Sequence, residues 1–133
     1  MDADEALTRL GQLLYSDPKV QARPDWDRLV MVCRAEEGSV SLSGYTFTED
    51  NAPSPVAPSP GRGTDDAVEE LQRVMQEQSP ARAAWIACLV HVTVAGELEV
   101  DFEYSDRRRW AFNPRDAQAL PRELALLPAP GRD

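Results

Sequence analysis

The sequence predicts an α+β fold, in which an antiparallel sheet of about four strands carries two helices packed on one face. Three observations support this class. Two acid-capped segments have apolar residues at helical spacing. Other segments alternate polar with apolar residues or are rich in β-branched residues. Short turns join the strands of each pair, as between antiparallel neighbours. The expected order is α-β-β-α-β-β, followed by a short C-terminal helix. The face of the sheet opposite the two helices is expected to be open to solvent or to a partner.

The first helix is predicted over residues 3–15. Leu7, Leu10 and Leu14 fall on one stripe at i, i+3 and i+7, as expected for a helix that buries one face. Acidic residues occupy its first turn, where the helix dipole favours negative charge. A serine–aspartate–proline turn ends the helix.

The first two strands are predicted over residues 27–35 and 39–48, which a turn at Glu37 and Gly38 separates. Both segments contain β-branched or aromatic residues with a period of two. In the second segment the alternation changes parity at Gly44. An interior glycine at such a point predicts a β-bulge, in which one extra residue is inserted into the ladder.

Residues 50–63 are rich in proline and have no periodicity, which predicts a mobile or extended loop. A PxxP spacing at Pro55 and Pro58 leaves recognition by a proline-binding domain open as an alternative. Neither flank of this loop is long enough to fold alone, so we expect one domain over residues 1–133.

The second half predicts a helix, a hairpin and a tail. The helix covers residues 65–78, with aspartates in its first turn. The most strand-like run, residues 83–96, follows it and leads into an acidic strand. An irregular tail begins near Pro114 and contains one short helical candidate at residues 121–127.

The register of the second hairpin follows from which side chains must share a face. A two-residue turn would place carboxylates among valines, whereas an odd loop at residues 95–97 separates them. The odd loop pairs Val92 with Val100 and directs Phe102 and Tyr104 to the core. The predicted solvent face then holds Trp85, Leu89, His91, Thr93, Glu99, Asp101 and Glu103.

The most distinctive pattern is the row of carboxylates in residues 96–110, GELEVDFEYSDRRRW. Side chains on one strand face lie about 6.5–7 Å apart, and charges at that distance repel only weakly in water. Two carboxylates that act as acid and base need different pKa values, and a uniform exposed strand does not supply that difference, so the row does not suggest catalysis. A calcium site requires ligands that converge from a loop, so the row does not suggest a calcium site either. A plain solvated face and a docking face for a basic partner stay open. The three arginines at 107–109 are expected to pair with the strand that they follow, although contact with an acidic ligand is an alternative. The candidate residues for a partner are Glu97, Glu99, Asp101, Glu103 and Asp106.

Other residue types do not suggest catalysis. Cys33 and Cys88 lie in apolar runs, with no CxxC motif and no cysteine–histidine pair at metal-binding spacing. His91 is the only histidine, and no serine or cysteine lies in a nucleophile motif. We therefore expect no enzyme activity, no catalytic residue, no metal and no cofactor. For Trp85 an interface anchor and ordinary packing are both open, whereas Trp110 is expected to pack.

The composition limits the classes of partner that the protein is expected to bind. The formal net charge of −9 disfavours nucleic acid, because such binding depends on neutralising phosphates, and it also disfavours anionic membranes. It suits a basic partner. The N-terminus lacks the charged start and apolar core of a signal peptide, and no apolar stretch is long enough to span a bilayer. We expect a cytoplasmic protein with reduced thiols.

Several segments together resemble the YezG/EsaG-like family of bacterial immunity proteins. They are PDWDRLVMV at 24–32, Trp85, the turn at Gly96, VDFEYSD at 100–106 and RRW at 108–110. In that family a strand that starts with tryptophan leads through a glycine turn to a "dFdYdd" strand, followed by arginine and tryptophan. The segment between the tyrosine and the arginine–tryptophan pair is shorter here than in the family. The resemblance covers about residues 3–113.

The resemblance implies an antitoxin that binds and blocks a nuclease toxin. Its oligomeric state, monomer or homodimer, stays open. A nuclease presents a basic surface to phosphates, and the acidic row, with Trp85 as an anchor, would be complementary to it. The alternative is an acidic secretion chaperone, which would dimerise and hold an exported segment in an apolar groove. Another non-catalytic protein-binding module is also open.

Overall fold

A computed structural model describes residues 2–128 and 130 of the chain. Its strands are β1 (Arg28–Glu36), β2 (Ser39–Phe47), β3 (Pro53–Val56), β4 (Ala87–Thr93) and β5 (Leu98–Glu103). Its helices are α1 (Ala3–Tyr15), α2 (Pro18–Gln21), α3 (Thr64–Gln78) and α4 (Ala119–Ala125). Residues 129 and 131–133 of the predicted tail lie outside the described residues.

The strands form one antiparallel sheet in the order β3-β2-β1-β4-β5. The predicted α+β class is confirmed, and the sheet has one strand more than expected. Helices α1 and α3 pack together on one side of the sheet, which we call the helical face. Leu10 and Leu71 bury their side chains there against Met31 and Val90. Among the described helices, none has both the length and the apolar character of a membrane span.

The opposite side, which we call the C-terminal face, is also covered. Leu120 and Leu124 of α4 and the preceding Trp110 pack over Val30 and Leu89. The expectation that this face is open to solvent or to a partner is therefore wrong over the middle of the sheet. The short helix predicted at residues 121–127 is the element that covers it, and it begins two residues earlier.

Arg28, a residue that sequence reasoning did not single out, attaches the C-terminal segment to the sheet. Its Nη2 atom donates to the carbonyl of Ala125 at 2.7 Å and to Asn51 Oδ1 at 2.7 Å. Its guanidinium also lies 5.0 Å from the ring centre of Phe47. The last carbonyls of a helix have no partner within the helix, so a buried cation at this end satisfies them.

The predicted β-bulge at Gly44 is absent, because β1 and β2 keep one register from Arg28 paired with Phe47 to Glu36 paired with Ser39. The glycine serves a close approach instead. A Cβ added at Gly44 would lie 2.8 Å from the Cα atom of Met31. The apolar pattern changes parity because Tyr45 and Phe47 face the side that α4 covers.

Part of the predicted loop at residues 50–63 is the edge strand β3, which pairs with β2. Proline is tolerated at a sheet edge, so the proline content did not exclude a strand. The rest of the segment is attached to the start of α2 through Asp17, which is fully buried. Both the backbone N–H and the hydroxyl of Ser59 donate to the Asp17 carboxylate at 2.7 Å.

The second hairpin has the predicted odd loop, displaced by one residue to positions 94–96. Val92 therefore pairs with Leu98 and not with Val100. The faces are unchanged, since the parity is the same. Gly96 has φ of 90° and ends the three-residue loop, which is the conformation that glycine adopts most readily. Tyr104 lies beyond the end of β5 and is 48% exposed, so its predicted place in the core is wrong.

Candidate functional site

The carboxylates of β5 lie along the C-terminal face at one edge of the sheet. Among the described strands, β5 has a single neighbour, β4, on which His91 pairs with Glu99 and Leu89 pairs with Asp101. Both Glu99 and Asp101 are exposed, and so is Glu97 just before the strand. The predicted row therefore exists, although Glu97 lies between the loop and the first residue of β5 and not in the strand.

Arg109 neutralises the far end of this row. Its Nη2 atom lies 2.6 Å from Asp101 Oδ2, and its Nη1 atom lies 3.1 Å from Glu103 Oε1. The guanidinium also stacks over the ring of Trp110 at 4.2 Å. The expectation that the arginines pair with the acidic strand is confirmed for Arg109, whereas Arg107 pairs with Glu36.

Glu103 stabilises the turn after β5. Its Oε2 atom accepts the backbone N–H groups of Tyr104, Ser105 and Asp106, each at 3.1 Å. The N–H groups of Asp106 and Ser105, followed by Arg109, lower the pKa of Glu103 to about 2. With 15% of its side chain exposed, Glu103 is an internal anion and offers a partner little surface.

Asp106 is exposed, as predicted, and lies at the end of the site. Its Oδ1 atom accepts the backbone N–H of Arg108 at 2.9 Å, within the turn that returns Arg109 to the strand. One carboxylate oxygen is therefore used locally, and the side chain stays open to solvent. Its role in partner binding stays a prediction.

Trp85 does not lie on the acidic face. It is fully buried on the helical face, where its ring centre lies 5.6 Å from that of Phe102. The prediction extended the strand alternation back to residue 85, but β4 begins at Ala87. In addition, Gln72 Nε2 donates to the Trp85 carbonyl at 2.6 Å. The expectation that Trp85 faces solvent is wrong, and a buried side chain cannot anchor a partner.

His91, also predicted to face solvent, is 3% exposed. It lines a cavity of about 90 Å³ with Glu99, Arg109, Trp110 and Leu127. Burial, with a smaller contribution from the positive charge of Arg28, lowers the pKa of His91 to about 4. Its Nε2 atom has no hydrogen-bond partner in the part of the chain that the structure describes. The imidazole is therefore neutral at pH 7 and enclosed.

Trp110 packs as predicted and is 6% exposed. Its φ of 61° is in the left-handed region, which is strained for a bulky residue and persists only where the surroundings hold it. The preceding residue supplies one such restraint, because Arg34 Nη2 donates to the Arg109 carbonyl at 2.6 Å. The turn thus directs Arg109 toward the acidic strand and Trp110 into the core.

The two cysteines lie directly opposite each other on β1 and β4, and both are fully buried. The hydrogen bond between the two thiols, followed by burial, raises the pKa of Cys33 well above its ordinary value. A protonated and buried thiol is a poor nucleophile. Within residues 2–128 and 130, no group of three or more His, Cys, Asp or Glu side chains has the arrangement of a metal site.

What the site offers a partner is negative charge on an exposed edge. Neither Glu97 nor Glu99 forms an ion pair with any described residue. Asp101 is paired with Arg109 but is still 58% exposed. The structure therefore brings Glu97, Glu99 and Asp101 together as accessible carboxylates, and it assigns Glu103 to the turn.

No protein-family model matches the sequence, and no curated protein is significantly similar to it. The resemblance to the YezG/EsaG-like family therefore stays a prediction.

Proposed function

We propose that the protein is a non-catalytic immunity protein, which neutralises a bacterial toxin, most simply a nuclease, in the cytoplasm of the cell that makes it. The observation that carries this proposal is the accessible negative charge of the β5 edge. Glu97 and Glu99 are exposed without an ion pair in the described chain, and Asp101 is 58% exposed beside them.

The physical argument is charge complementarity. A nuclease needs cationic side chains to hold phosphates, so an inhibitor that presents carboxylates can occupy the same surface. The formal charge of −9 extends this attraction beyond the contact. Complementary charge increases the association rate and disfavours wrong partners more than it increases affinity.

The chemistry of the enclosed groups favours binding over catalysis. A general base must reach a substrate proton and have a pKa near the working pH. His91 is neutral, 3% exposed and has a pKa of about 4. Cys33 and Cys88 are buried, and the thiol of Cys33 has a raised pKa.

The proposal predicts that a nuclease domain is encoded beside the gene, and it can be tested with that domain. The double variant Glu99→Lys/Asp101→Lys should lose protection of cells that express the nuclease, because like charges then face each other. The matched control is Glu49→Lys/Asp50→Lys, since these neighbouring residues are also exposed and the net change in charge is the same. Thermal unfolding of both variants checks that the fold is retained. Full protection by the first variant, with unchanged affinity at low salt, would exclude this surface.

A secretion chaperone is the alternative, and one observation favours it. An apolar cavity of about 370 Å³ lies between α1 and the second hairpin, lined by Gly11, Tyr15, Val92 and Leu98 among others. A chaperone would use it to hold an unfolded exported segment. A stable dimer in light scattering, together with binding of such a segment, would support the chaperone. Inhibition of a nuclease at equimolar ratio would support the immunity protein.

A further inference from the structure

The two edges of the sheet differ in whether they can accept another strand. Strand β3 has 4 residues and contains Pro53 and Pro55, and prolines at an edge oppose further pairing. Strand β5 has 6 residues and no proline. One edge is therefore protected by its sequence, and no described strand or proline protects the other.

The open edge has main-chain groups that point away from the sheet. The N–H of Thr93 donates to the carbonyl of Glu97 at 2.9 Å, so this pair is a hydrogen-bonded one. Hydrogen-bonded and non-hydrogen-bonded pairs alternate along an antiparallel ladder. The main-chain groups of Glu99 and Asp101 therefore face β4, and those of Leu98, Val100 and Phe102 face outward. Within the described residues, the backbone N–H and carbonyl groups of these three residues form no backbone hydrogen bond.

The side chains of β5 give this edge two different sides. On the helical face, Leu98, Val100 and Phe102 are only half-buried. Leu98 also lines the apolar cavity of about 370 Å³. On the C-terminal face are the carboxylates of Glu99 and Asp101. A strand placed beside β5 would meet apolar surface on one side and negative charge on the other.

We propose that the partner binds by adding an antiparallel β-strand to the free edge of β5, with basic residues beside Glu99 and Asp101 and apolar residues toward the helical face. This mode gives affinity through main-chain hydrogen bonds and specificity through alternate side chains. This proposal deepens the proposed function. The identity of the partner rests on that function, whereas the mode of binding does not. A second copy of the chain fits poorly, because β5 against β5 would place carboxylates opposite carboxylates.

The geometry also determines which backbone N–H groups of the partner form hydrogen bonds with β5. Residues directly opposite each other in a hydrogen-bonded antiparallel pair share one face of the sheet. The partner residues that bond to Leu98, Val100 and Phe102 are therefore its apolar residues. Methylation of the amides of those residues should block strand addition. Methylation of the amides of the basic residues should not, since these N–H groups point away from β5.

The test uses three synthetic peptides as long as β5, 6 residues each, that alternate lysine and valine. One is unmodified, one is N-methylated at its valines, and one is N-methylated at its lysines. All three carry the same charge, so they differ in hydrogen bonding and not in electrostatic attraction. Amide hydrogen exchange of the intact protein is followed by NMR as each peptide is added.

The unmodified and lysine-methylated peptides should slow exchange at Leu98, Val100 and Phe102 by about tenfold or more at saturation. Exchange at Glu99 and Asp101 should change little, because β4 already protects these amides. The valine-methylated peptide should protect none of them. A matched peptide that alternates glutamate and valine should not bind, because its charge has the same sign as the edge.

Strand addition is wrong if the unmodified peptide does not bind, or if it binds without protecting the outward amides. It is also wrong if the two methylated peptides bind equally well. Protection of these amides in the protein alone, with dimers in solution, would assign the edge to a second copy. None of these outcomes decides the proposed function, which depends on the nuclease protection test.

Discussion

Arg109 pairs with Asp101 at a distance of 2.6 Å, across the turn that follows β5. The chain therefore supplies a cation to its own acidic strand, whereas no described residue forms an ion pair with Glu97 or Glu99 at the opposite end of the row. Because the turn depends on Glu103 for three backbone hydrogen bonds, the four carboxylates of the row have different functions. Glu103 stabilises the fold, Asp101 is shared with Arg109, and Glu97 and Glu99 are available to a partner.

Glu103→Gln should destabilise the fold, whereas Glu99→Gln, its matched control on the same strand, should leave the stability nearly unchanged. The pKa of Glu103 is lowered to about 2 from an ordinary 4.5. Its stabilising effect is therefore complete above pH 4.5 and is lost as the pH falls toward 2. Chemical denaturation of both variants at several pH values measures this. Equal stability of the two variants at pH 7 would contradict the assignment of Glu103 to the turn.

His91 should stay neutral down to a pH of about 4, since burial lowers its pKa from 6.5. The unfolded chain then binds the extra proton first, so stability is full above pH 6.5 and falls as the pH decreases toward 4. The loss should reach roughly 3 kcal/mol. NMR titration of the imidazole is unambiguous, because the chain has one histidine. A midpoint near 6.5 would show that the side chain is accessible to water.

Phe102→Ala should destabilise the protein by about 2 kcal/mol, less than the roughly 3–5 kcal/mol of a fully buried aromatic residue. Phe102 is half-buried and packs against Trp85 at 5.6 Å between ring centres. Tyr104→Ala is the control, and it should change stability by less than about 0.5 kcal/mol, because the side chain is exposed. The reverse order in urea denaturation would mean that the end of β5 is placed wrongly.

Arg28→Met should release α4 from the sheet while it retains much of the side-chain volume. The guanidinium donates to the Ala125 carbonyl and to Asn51, and a charge-assisted hydrogen bond contributes about 1.5–3 kcal/mol. Limited proteolysis should cut the variant near residues 111–118 faster than the wild type. A cleavage pattern identical to that of the wild type would show that α4 is held by apolar packing alone.

The sequence predicted the parts of the fold that periodicity determines. The long helices, the two hairpins and the face assignment of β5 follow from spacing, and parity alone selected an odd loop before Leu98. Edge strand β3 was missed because proline opposes most strands and is tolerated only where one side of the ladder is free. That condition depends on the neighbouring strand, which local sequence does not show.

The charged residues of the candidate site were predicted from the sequence, but the side chains that pack over it were not. Alternation placed Glu99 and Asp101 on an outer face, but it could not show that Trp110 and Leu127 enclose His91. Arg28 gave no local signal, since its partners at Ala125 and Leu127 lie about a hundred residues further along the chain. The run of arginines after the acidic strand was the one signal that pointed to an internal ion pair.

The most direct test of the central claim is the association rate of the cognate toxin with the variant Glu99→Gln/Asp101→Gln, measured by stopped flow across a range of salt concentrations. The control is Glu49→Gln/Asp50→Gln, which removes the same charge from the exposed turn between β2 and β3, toward the opposite edge of the sheet. If β5 is the docking edge, the first variant should associate about tenfold more slowly at low salt and depend less on salt, and the control should match the wild type. Identical rates for the two variants would contradict binding through the acidic edge of β5.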